Sequence, residues 1–179
     1  MKNFFISSTF TDMHHERDYL HLNIFPSLLE EAIQNGDHIG MRDLRWGIHT
    51  SDLTREEADE HVLSVCLEEI DLCRPYMIVL IGDRYGSSFQ KKQLEDIILK
   101  MHSSAESKEA LQSLSNNMKE SSITEMEIRY GTLWHPKGTS KPKVIFYIRQ
   151  LEGDGIPSEY VEEKGKASLD NLKNLISSL

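Results

Sequence analysis

The stretch TREEADEHVLSVCLEEIDLCRPYMIVLIGDRYG, residues 54–86, sets an amphipathic helix directly before a short apolar strand. Thr54 and Glu57 have the spacing of a capping box, in which each side chain satisfies a free backbone N–H at the start of a helix. Pro75 cannot continue that helix, and the uninterrupted apolar run YMIVLI after it is typical of a strand that is covered on both faces. The stretch therefore predicts an α/β fold with a parallel sheet.

Apolar runs and helical patterns alternate along the rest of the chain as well. The run FFI near the amino terminus predicts a first buried strand. Residues 143–148, which contain the run VIFYI, predict a fourth strand, and residues 38–44 predict a shorter one. Residues 12–34 have helical spacing, and Pro26 should kink or divide this helix. The alternation predicts a sheet of about four to five parallel strands with helices on both faces.

The helical and strand patterns weaken over residues 89–120, a stretch rich in Lys, Glu and Ser that we interpret as an insertion or a mobile lid of a domain spanning residues 1–150. Residues 151–179 are predicted to form a polar linker and a C-terminal helix. Four apolar residues form a stripe on that helix: Leu169, Leu172, Ile176 and Leu179. The stripe either packs back on the domain or, as we expect, serves a downstream module that is absent from this sequence.

Charge and composition exclude several classes of function. With a formal net charge of −9 and a pI near 5.4, the chain lacks the clustered Lys and Arg of a nucleic-acid surface, so no nucleic-acid partner is expected. No apolar run approaches the roughly 20 residues of a membrane span, so no membrane association is expected. Cys66 and Cys73 share one helix face, which predicts buried thiols in a reducing compartment, the cytoplasm. Their spacing does not fit the usual zinc pairs, and no metal is expected.

The stretch SSITEMEIRYGTL, residues 121–133, is the most informative one for function. Ser122 and Glu125 repeat the capping-box spacing, so Glu125 is expected to be structural. At about 100° per residue, Glu127 falls at the border of the apolar stripe of this helix. Partial desolvation there would raise its pKa and prepare it for chemistry. The alternative is that Glu127 pairs with an arginine at the edge of the core. The stripe consists of Ile123, Met126, Tyr130 and Leu133.

Loops that follow parallel strands meet at one edge of a sheet, where α/β proteins bind their ligands. The first such loop contains Ser7, Ser8 and Thr9, whose hydroxyls suit either a phosphate group or the capping of the next helix. Arg17 lies within that helix and, together with His14, Asp18 and His21, is interpreted as part of a solvated polar face.

The second and third loops carry arginine and aromatic residues. Arg45 suits a phosphate or carboxylate, or an ion pair with Asp43 or Glu127. Trp46 suits stacking on a planar ring. The third loop repeats the pattern of acid, arginine, aromatic residue and glycine, and Tyr85 is its candidate for stacking.

Four blocks of sequence, in this order, carry a resemblance to a known family: FFISSTFTDMHHERDYL, DLRWGI, VCLEEIDLCRPYMIVLIGDRYG and SITEMEIRYG. Together they resemble the Toll/interleukin-receptor-like (TIR-like) domain at the N-terminus of some NACHT-type signalling ATPases. That group includes a telomerase-associated vault protein, NACHT/WD-repeat proteins and bacterial relatives. The resemblance implies a flavodoxin-like three-layer sandwich that self-associates, acts as an effector or adaptor, and is fused to a NACHT ATPase and a repeat sensor.

The resemblance also implies an activity. Active members of the wider superfamily hydrolyse NAD⁺ at the nicotinamide glycosidic bond, using a glutamate on the helix after the third strand, and Glu127 falls at that position. NAD⁺ is then the substrate, and no cofactor is required. The residues expected near its phosphates, ribose or rings are Ser7, Ser8, Thr9, Arg45, Trp46 and Tyr85. The alternative is a non-catalytic interaction module, in which the arginine loops form an interface. A nucleoside deoxyribosyltransferase-like enzyme would share the sheet and the glutamate, but the sequence blocks do not favour it.

Overall fold

The computed structural model describes residues 1–45, 48, 51–116 and 118–179. The strands are β1 (Lys2–Ser7), β2 (Ile39–Arg42), β3 (Tyr76–Ile81), β4 (Ser88–Gln90), β5 (Glu120–Ser122) and β6 (Lys143–Ile148). Within the described residues, four parallel strands form the main sheet in the order β2-β1-β3-β6, and β4 and β5 form a short antiparallel pair. The predicted α/β fold with a parallel sheet is confirmed.

Helices lie on both faces of the main sheet. They are α1 (His14–Tyr19), α2 (Phe25–Gln34), α3 (Arg55–Cys73), α4 (Lys91–Lys100), α5 (Ala105–Ser115), α6 (Ile123–Leu133) and α7 (Lys166–Ser177). One face carries α3 and α6 and the larger core, and the other carries the helix that connects β1 to β2. The predicted three-layer arrangement is therefore present.

Strand β3 has the central place that its apolar run predicts. It pairs with β1 on one side and along its whole length with β6 on the other. Met77, Val79 and Ile81 point to the larger core, whereas Ile78 and Leu80 belong to the smaller cluster on the opposite face. Because both faces are covered, every position of this strand tolerates an apolar side chain.

The helix predicted over residues 12–34 is interrupted, as its proline predicts. Between α1 and α2 the chain forms a π-helical segment, Leu20–Ile24. Pro26 is in the first turn of α2 and has no N–H to donate to the preceding turn. The widened turn accommodates this missing hydrogen bond.

The capping box predicted at the start of α3 is also confirmed. The Thr54 hydroxyl accepts a hydrogen bond from the Glu57 N–H at 3.3 Å, and the Glu57 carboxylate accepts one from the Thr54 N–H at 2.9 Å. Helix α3 then runs to Cys73, just before Pro75.

Residues 89–120 form part of the larger core. Helix α4 buries Leu94, Ile97 and Ile98, and α5 buries Leu111. The segment returns through β5, which pairs with β4 and leads directly into α6. It therefore helps to position the helix that carries Glu127.

The apolar stripe of the C-terminal helix packs back on the domain, which corrects the expectation that it serves a downstream module. Leu169, Leu172 and Ile176 of α7 are buried in the larger core, together with Tyr85 and Phe89. Burying these side chains is favourable at any interface, and the periodicity alone does not identify the partner surface. Leu179, beyond the helix, is exposed.

The second face of the main sheet is covered over only part of its width. Ile145 and Tyr147 of the edge strand β6 are in register with Ile78 and Leu80 of β3, so all four side chains point to this face. Ile145 is 62% exposed and Tyr147 is 49% exposed, whereas Leu80 is buried. The outer strand thus presents apolar side chains to solvent.

None of the helices among the described residues is both long and apolar enough to cross a membrane.

Replacing Leu172 with alanine should lower the free energy of unfolding by about 2–5 kcal/mol, because it leaves a cavity between α7 and the core. Asn174→Ala, on the exposed side of the same helix, should change it by less than about 0.5 kcal/mol. Urea denaturation followed by circular dichroism measures both. Equal effects of the two substitutions would contradict the packing of α7 on the core.

Candidate functional site at the carboxyl edge of the sheet

The carboxyl ends of the four parallel strands bring most of the predicted site residues to one edge. Strand β1 ends at Ser7, β2 leads into Asp43 and Arg45, β3 leads into Asp83, and β6 leads into Arg149. The chain passes from β1 to β2 on one side and places β3 on the other, so the strand order reverses between β1 and β3. In open α/β sheets this reversal opens the crevice that binds ligands.

Glu127 lies in the second turn of α6, with only 4% of its surface exposed. The Ser7 hydroxyl donates to its carboxylate at 2.5 Å, and the Cys66 thiol lies beside it. Glu127 therefore links the end of β1 to α3 and α6. Burial on α6 is wider than the predicted stripe, because Ile128 is also buried while Leu133 is exposed.

Burial dominates the electrostatics of Glu127. Desolvation raises the pKa of its carboxyl group, although the Cys66 thiol, the Ser7 hydroxyl and the positive charge of Arg17 act in the opposite direction. The pKa of Cys66 is likewise raised well above its usual range, first by burial and then by the neighbouring Glu127. The pair thus combines a buried acid with a protonated thiol, and a raised carboxyl pKa is typical of both functional sites and structural networks.

Arg17 is the centre of the buried polar network, which corrects the interpretation of its helix face as solvated. Only 1% of its surface is exposed. Its guanidinium donates to Asp43 at 2.5 Å, to the Ser8 hydroxyl at 2.6 Å and to the carbonyls of Ile6 and Ser8 at 3.2 and 3.3 Å. Phe10 stacks on it, with the ring centroid 5.0 Å from the guanidinium carbon. Arg17 therefore holds the ends of β1 and β2 together.

The sequence contains a signal for this burial. Met13 lies four residues before Arg17 and Leu20 lies three residues after it, so all three share one side of the helix. Met13 is completely buried, and Leu20 packs against the same cluster. The neighbouring histidines and Asp18 obscured the apolar flank.

Arg45 forms the predicted ion pair with Asp43, at 3.0 Å, and a second one with Asp18, at 2.7 Å. It reaches the network through Asp43, which it shares with Arg17. This arrangement matches one of the two alternatives given for Arg45, the pairing with Asp43. Glu127 accepts a hydrogen bond from Ser7, with the Cys66 thiol beside it and Arg17 as the nearby positive charge.

A second buried cluster, centred on Asp12 and Arg149, lies at the ends of β3 and β6. Asp12 is fully buried and accepts hydrogen bonds from Thr9, from the Asp83 N–H at 3.0 Å and from Arg149 at 3.3 Å. Arg149 also pairs with Glu16 at 3.0 Å. Sequence reasoning missed this cluster, because Asp12 and Arg149 are 137 positions apart and only the sheet order brings them together.

The hydroxyl groups after β1 are engaged within the protein. The Ser8 hydroxyl donates to the Thr9 carbonyl at 2.7 Å and accepts from Arg17, and the Thr9 hydroxyl donates to Asp12. Ser7, Ser8 and Thr9 are all buried. A ligand would therefore have to replace existing partners to reach these hydroxyls.

Tyr85 lies on the other side of the α6 N-terminus. Its hydroxyl donates to Glu125 at 2.5 Å and accepts from the Ser122 N–H at 3.2 Å. Glu125 also accepts a hydrogen bond from Arg129 at 2.7 Å, so it is structural as predicted. Only half of the predicted capping box forms: the Ser122 hydroxyl accepts from the Glu125 N–H, whereas the Ser122 N–H donates to Tyr85. The ring of Tyr85 is buried in the larger core. Trp46 lies outside the described residues.

A cleft of about 370 Å³ lies away from this edge. The cleft lies near the end of α3 and the start of α5. The residues that line it are Glu68, Asp71, Leu72, Arg74, His102, Ser103, Ser104, Ser107 and Pro136. Asp71 is already satisfied by Tyr130, Ser107 and Arg74. Across residues 1–45, 48, 51–116 and 118–179, no cluster of three His, Cys, Asp or Glu side chains is arranged to hold a metal ion.

Comparisons with known proteins give a family and several distant relatives. A family model described as a domain of unknown function, DUF4062, matches residues 3–178. A TPR repeat-containing protein of Dictyostelium discoideum is 35% identical over 183 residues, which cover 96% of this chain and 10% of that protein. Telomerase protein component 1 of Rattus norvegicus is 40% identical over 92 residues, 51% of this chain and 3% of that protein. NACHT domain- and WD repeat-containing protein 1 of Mus musculus is 29% identical over 86 residues, 45% of this chain and 5% of that protein.

These matches confirm, as distant similarity, the predicted relationship to a telomerase-associated protein and to NACHT/WD-repeat proteins. The chain spans a tenth or less of the length of the relatives described above. No solved structure matches it.

Arg17→Met should lower the free energy of unfolding by about 3–5 kcal/mol, because it leaves the buried Asp43 carboxylate without its main partner. Arg129→Met is the matched control, since it removes a half-exposed ion pair within α6 and should cost less than about 1 kcal/mol. Chemical denaturation of both variants provides the measurement. If Arg17→Met costs no more than the control, the network is not a determinant of stability.

Glu127→Gln should change the pH dependence of stability. The pKa of Glu127 is raised in the folded state above its ordinary value of 4.5, so its stabilising contribution is complete below that pH and is lost as the pH rises through the folded-state pKa. Relative to the Gln variant, the unsubstituted chain should therefore become less stable as the pH increases. Urea unfolding over a pH series measures the difference, and the exposed Glu120→Gln serves as control. A pH-independent difference would contradict the burial of an ionisable group at this position.

Proposed function

The chain belongs to the DUF4062 family, and we propose that it is a TIR-like effector domain of a larger signalling protein that hydrolyses NAD⁺ when copies assemble. The observation that carries the proposal is the buried Glu127 carboxylate in contact with Ser7 at the carboxyl edge of the parallel sheet. This is the edge at which α/β folds bind ligands. The raised pKa of Glu127 is the perturbation found at many catalytic acids.

The chemistry requires few groups. The bond between ribose C1′ and the nicotinamide nitrogen breaks, and its electron pair moves to the nicotinamide ring, which leaves as a neutral molecule. The ribosyl cation that remains is stabilised by a carboxylate, as in glycoside hydrolysis. A water oxygen then bonds to C1′ and releases a proton to Glu127 or to solvent. Glu127 is the proposed catalytic residue, and neither a metal nor a further cofactor is needed.

The remaining residues of the site have binding roles in this proposal. Ser7, Ser8, Thr9 and Arg45 would interact with the phosphates or ribose, since hydroxyl and guanidinium groups suit those partners. Trp46 or Tyr85 would contact a planar ring of the substrate. Because Ser7, Ser8, Thr9 and Arg45 already pair with Glu127, Arg17, Asp12 and Asp43 in the single chain, substrate binding requires their rearrangement.

The burial of Glu127 supports the proposal of activation by assembly. With 4% of this residue exposed, a ribose cannot contact the carboxylate unless neighbouring segments move. A single copy is thus a resting state, and contacts between copies would shift it to an open state. Self-association through this domain is the proposed trigger.

The setting of the domain is proposed from its relatives. Their names describe TPR, NACHT and WD-repeat proteins, and the chain matches only a small part of each. We expect an ATPase module and a repeat sensor as downstream partners, a cytoplasmic location, and no nucleic-acid or membrane partner. For the larger protein, we propose a role in innate immune signalling.

Nicotinamide release from NAD⁺ tests the enzymatic proposal. The chain fused to a tetrameric coiled coil should release nicotinamide, and the monomeric chain should not. Glu127→Gln in the fused protein should lower the rate by about 100-fold or more, since it removes the charge that stabilises the transition state. Glu120→Gln, an exposed acid before the same helix, is the control and should retain the rate. Release that persists in Glu127→Gln would refute the assigned mechanism.

A non-catalytic docking module is the second candidate, and two observations favour it. The polar groups around Glu127 form a closed network, and the edge strand β6 exposes Ile145 and Tyr147. An unpaired strand edge beside apolar side chains is suited to pairing with a second copy of the chain.

Sedimentation velocity tests the docking candidate. The chain should associate at high micromolar concentration, and the double substitution Ile145→Lys and Tyr147→Lys should prevent this. The control is the double substitution Leu99→Lys and Leu133→Lys, which changes two exposed apolar residues on helices α4 and α6. Association without any nicotinamide release would favour docking, whereas association that persists in the Ile145→Lys and Tyr147→Lys variant would show that the contact does not involve β6.

A further inference from the structure

A short segment between β6 and α7 crosses the loop that follows β3. We call residues 159–163 the strap. Val161 forms a parallel β-bridge with Asp83, and the Glu162 N–H donates to the Asp83 carbonyl at 3.2 Å. The strap thus adds a single rung of sheet hydrogen bonding at the carboxyl end of the central strand.

Charged side chains hold the strap to the same loop. The Glu162 carboxylate accepts a hydrogen bond from the Gly86 N–H at 3.3 Å and pairs with Arg84 at 3.8 Å. Arg84 also reaches the carbonyls of Glu159 and Val161, at 3.5 and 3.4 Å. These contacts are long and are partly exposed to solvent, so each contributes little.

Tyr160 is the main side-chain contact of the strap with the rest of the site. Its ring lies 5.0 Å from the guanidinium carbon of Arg149. It also stacks near His14 and His15, with centroid distances of 6.2 and 6.4 Å. The strap therefore covers the Asp12–Arg149 cluster, which lies next to the crevice between β1 and β3.

The loop under the strap lies against the residues next to Ser7 and Glu127. A Cβ on Gly86 would be 2.9 Å from Thr9 and 3.9 Å from Thr124. Thr9 follows Ser7 by two residues, and Thr124 precedes Glu127 by one turn of α6. The strap, the loop and the pair Ser7–Glu127 thus form successive layers.

The closed arrangement leaves polar atoms unsatisfied beside the strap. Arg149 Nε, Asp83 Oδ2 and Glu16 Oε2 have no hydrogen-bond partner within the described part of the chain. Unsatisfied buried groups are costly. The layer that contains the strap is therefore less stable than the apolar core on either side of it, where β6 and α7 are firmly packed.

We propose that the strap is a removable cover, and that its release from Arg149 and Gly86 opens access to the buried pair Ser7–Glu127. The cover opens while β6 and α7 stay in place. The proposal goes beyond the assignment of a function, because access to Glu127 is needed for catalysis and is measurable without it.

Cys66 is a native reporter of this access, since its thiol contacts Glu127. Cys73, seven residues further along α3, is equally buried but lies near the opposite end of the sheet. Labelling with a small thiol reagent, followed by peptide mass spectrometry, gives the modification rate of each cysteine. Local opening at the strap exposes only Cys66, whereas global loosening exposes both.

The test variant is Tyr160→Ser with Glu162→Ala, which removes the ring on Arg149 and the carboxylate on Gly86. Its control is Glu163→Ala, an exposed neighbour within the strap. The ratio of Cys66 to Cys73 labelling should rise by at least about tenfold in the test variant, given the usual strength of these contacts. It should stay unchanged in the control. Hydrogen exchange of the Glu162 amide should accelerate together with Cys66 labelling.

Three results would overturn the proposal. The first is an unchanged labelling ratio while the Glu162 amide exchanges faster, which would mean that the strap opens without exposing the pair. The second is a parallel rise at both cysteines, which would mean general loosening. The third is an unaltered Glu162 amide, which would mean that these two side chains do not hold the strap. None of these readouts depends on NAD⁺ turnover, so failure of the enzymatic proposal is distinguishable.

Discussion

The buried ion pair of Arg17 and Asp43 is the interaction on which the carboxyl edge of the sheet depends. Arg17 belongs to the helix that connects β1 to β2, and its guanidinium binds the backbone at the end of β1 and the carboxylate after β2. Removing a charge from water is costly unless all of its donors find partners. The strand ends must therefore meet within hydrogen-bonding distance, which fixes the loop that carries Ser7 and Ser8. Glu127, on the other face of the sheet, can then accept a hydrogen bond from the Ser7 hydroxyl.

This network explains why the Glu127 carboxylate is buried in the single chain. Glu127 is surrounded by neutral donors, with Arg17 as the nearby positive charge. The same contacts that desolvate the carboxylate also block its approach. A ligand reaches a site of this kind only when neighbouring segments move. The strap is the part of the fold in which such a movement would require the fewest broken core contacts, since β6 pairs with β3 along its whole length.

Local sequence signals predict the helices and strands, but they do not predict ion pairs between residues that are far apart in the sequence. Thr54, Pro75 and the run YMIVLI predicted α3 and β3 correctly, because capping, the missing proline N–H and continuous apolarity act within a few residues. Ser122 and Glu125 were likewise recognised as structural. Arg17 was assigned to a solvated face because its partner Asp43 is 26 positions away and its polar neighbours hid the apolar flank. The stripe of α7 was detected, but its partner surface was not, since a helical period shows that a face is apolar without showing what covers it.

The π-helical segment has a consequence for the phase of the first helix. Up to the first residue of this segment, the inward side chains are Met13, Arg17 and Leu20, and after it the half-buried ones are Phe25, Leu29 and Ala32. The step from 20 to 25 is five residues, where a regular helix would continue inward at Ile24 and Leu28, both of which are exposed. One additional residue in a turn rotates everything after it by about 100°. The widened turn therefore lets the chain direct a guanidinium at the strand ends and, further along, turn a set of apolar side chains inward that has the same spacing but a shifted phase.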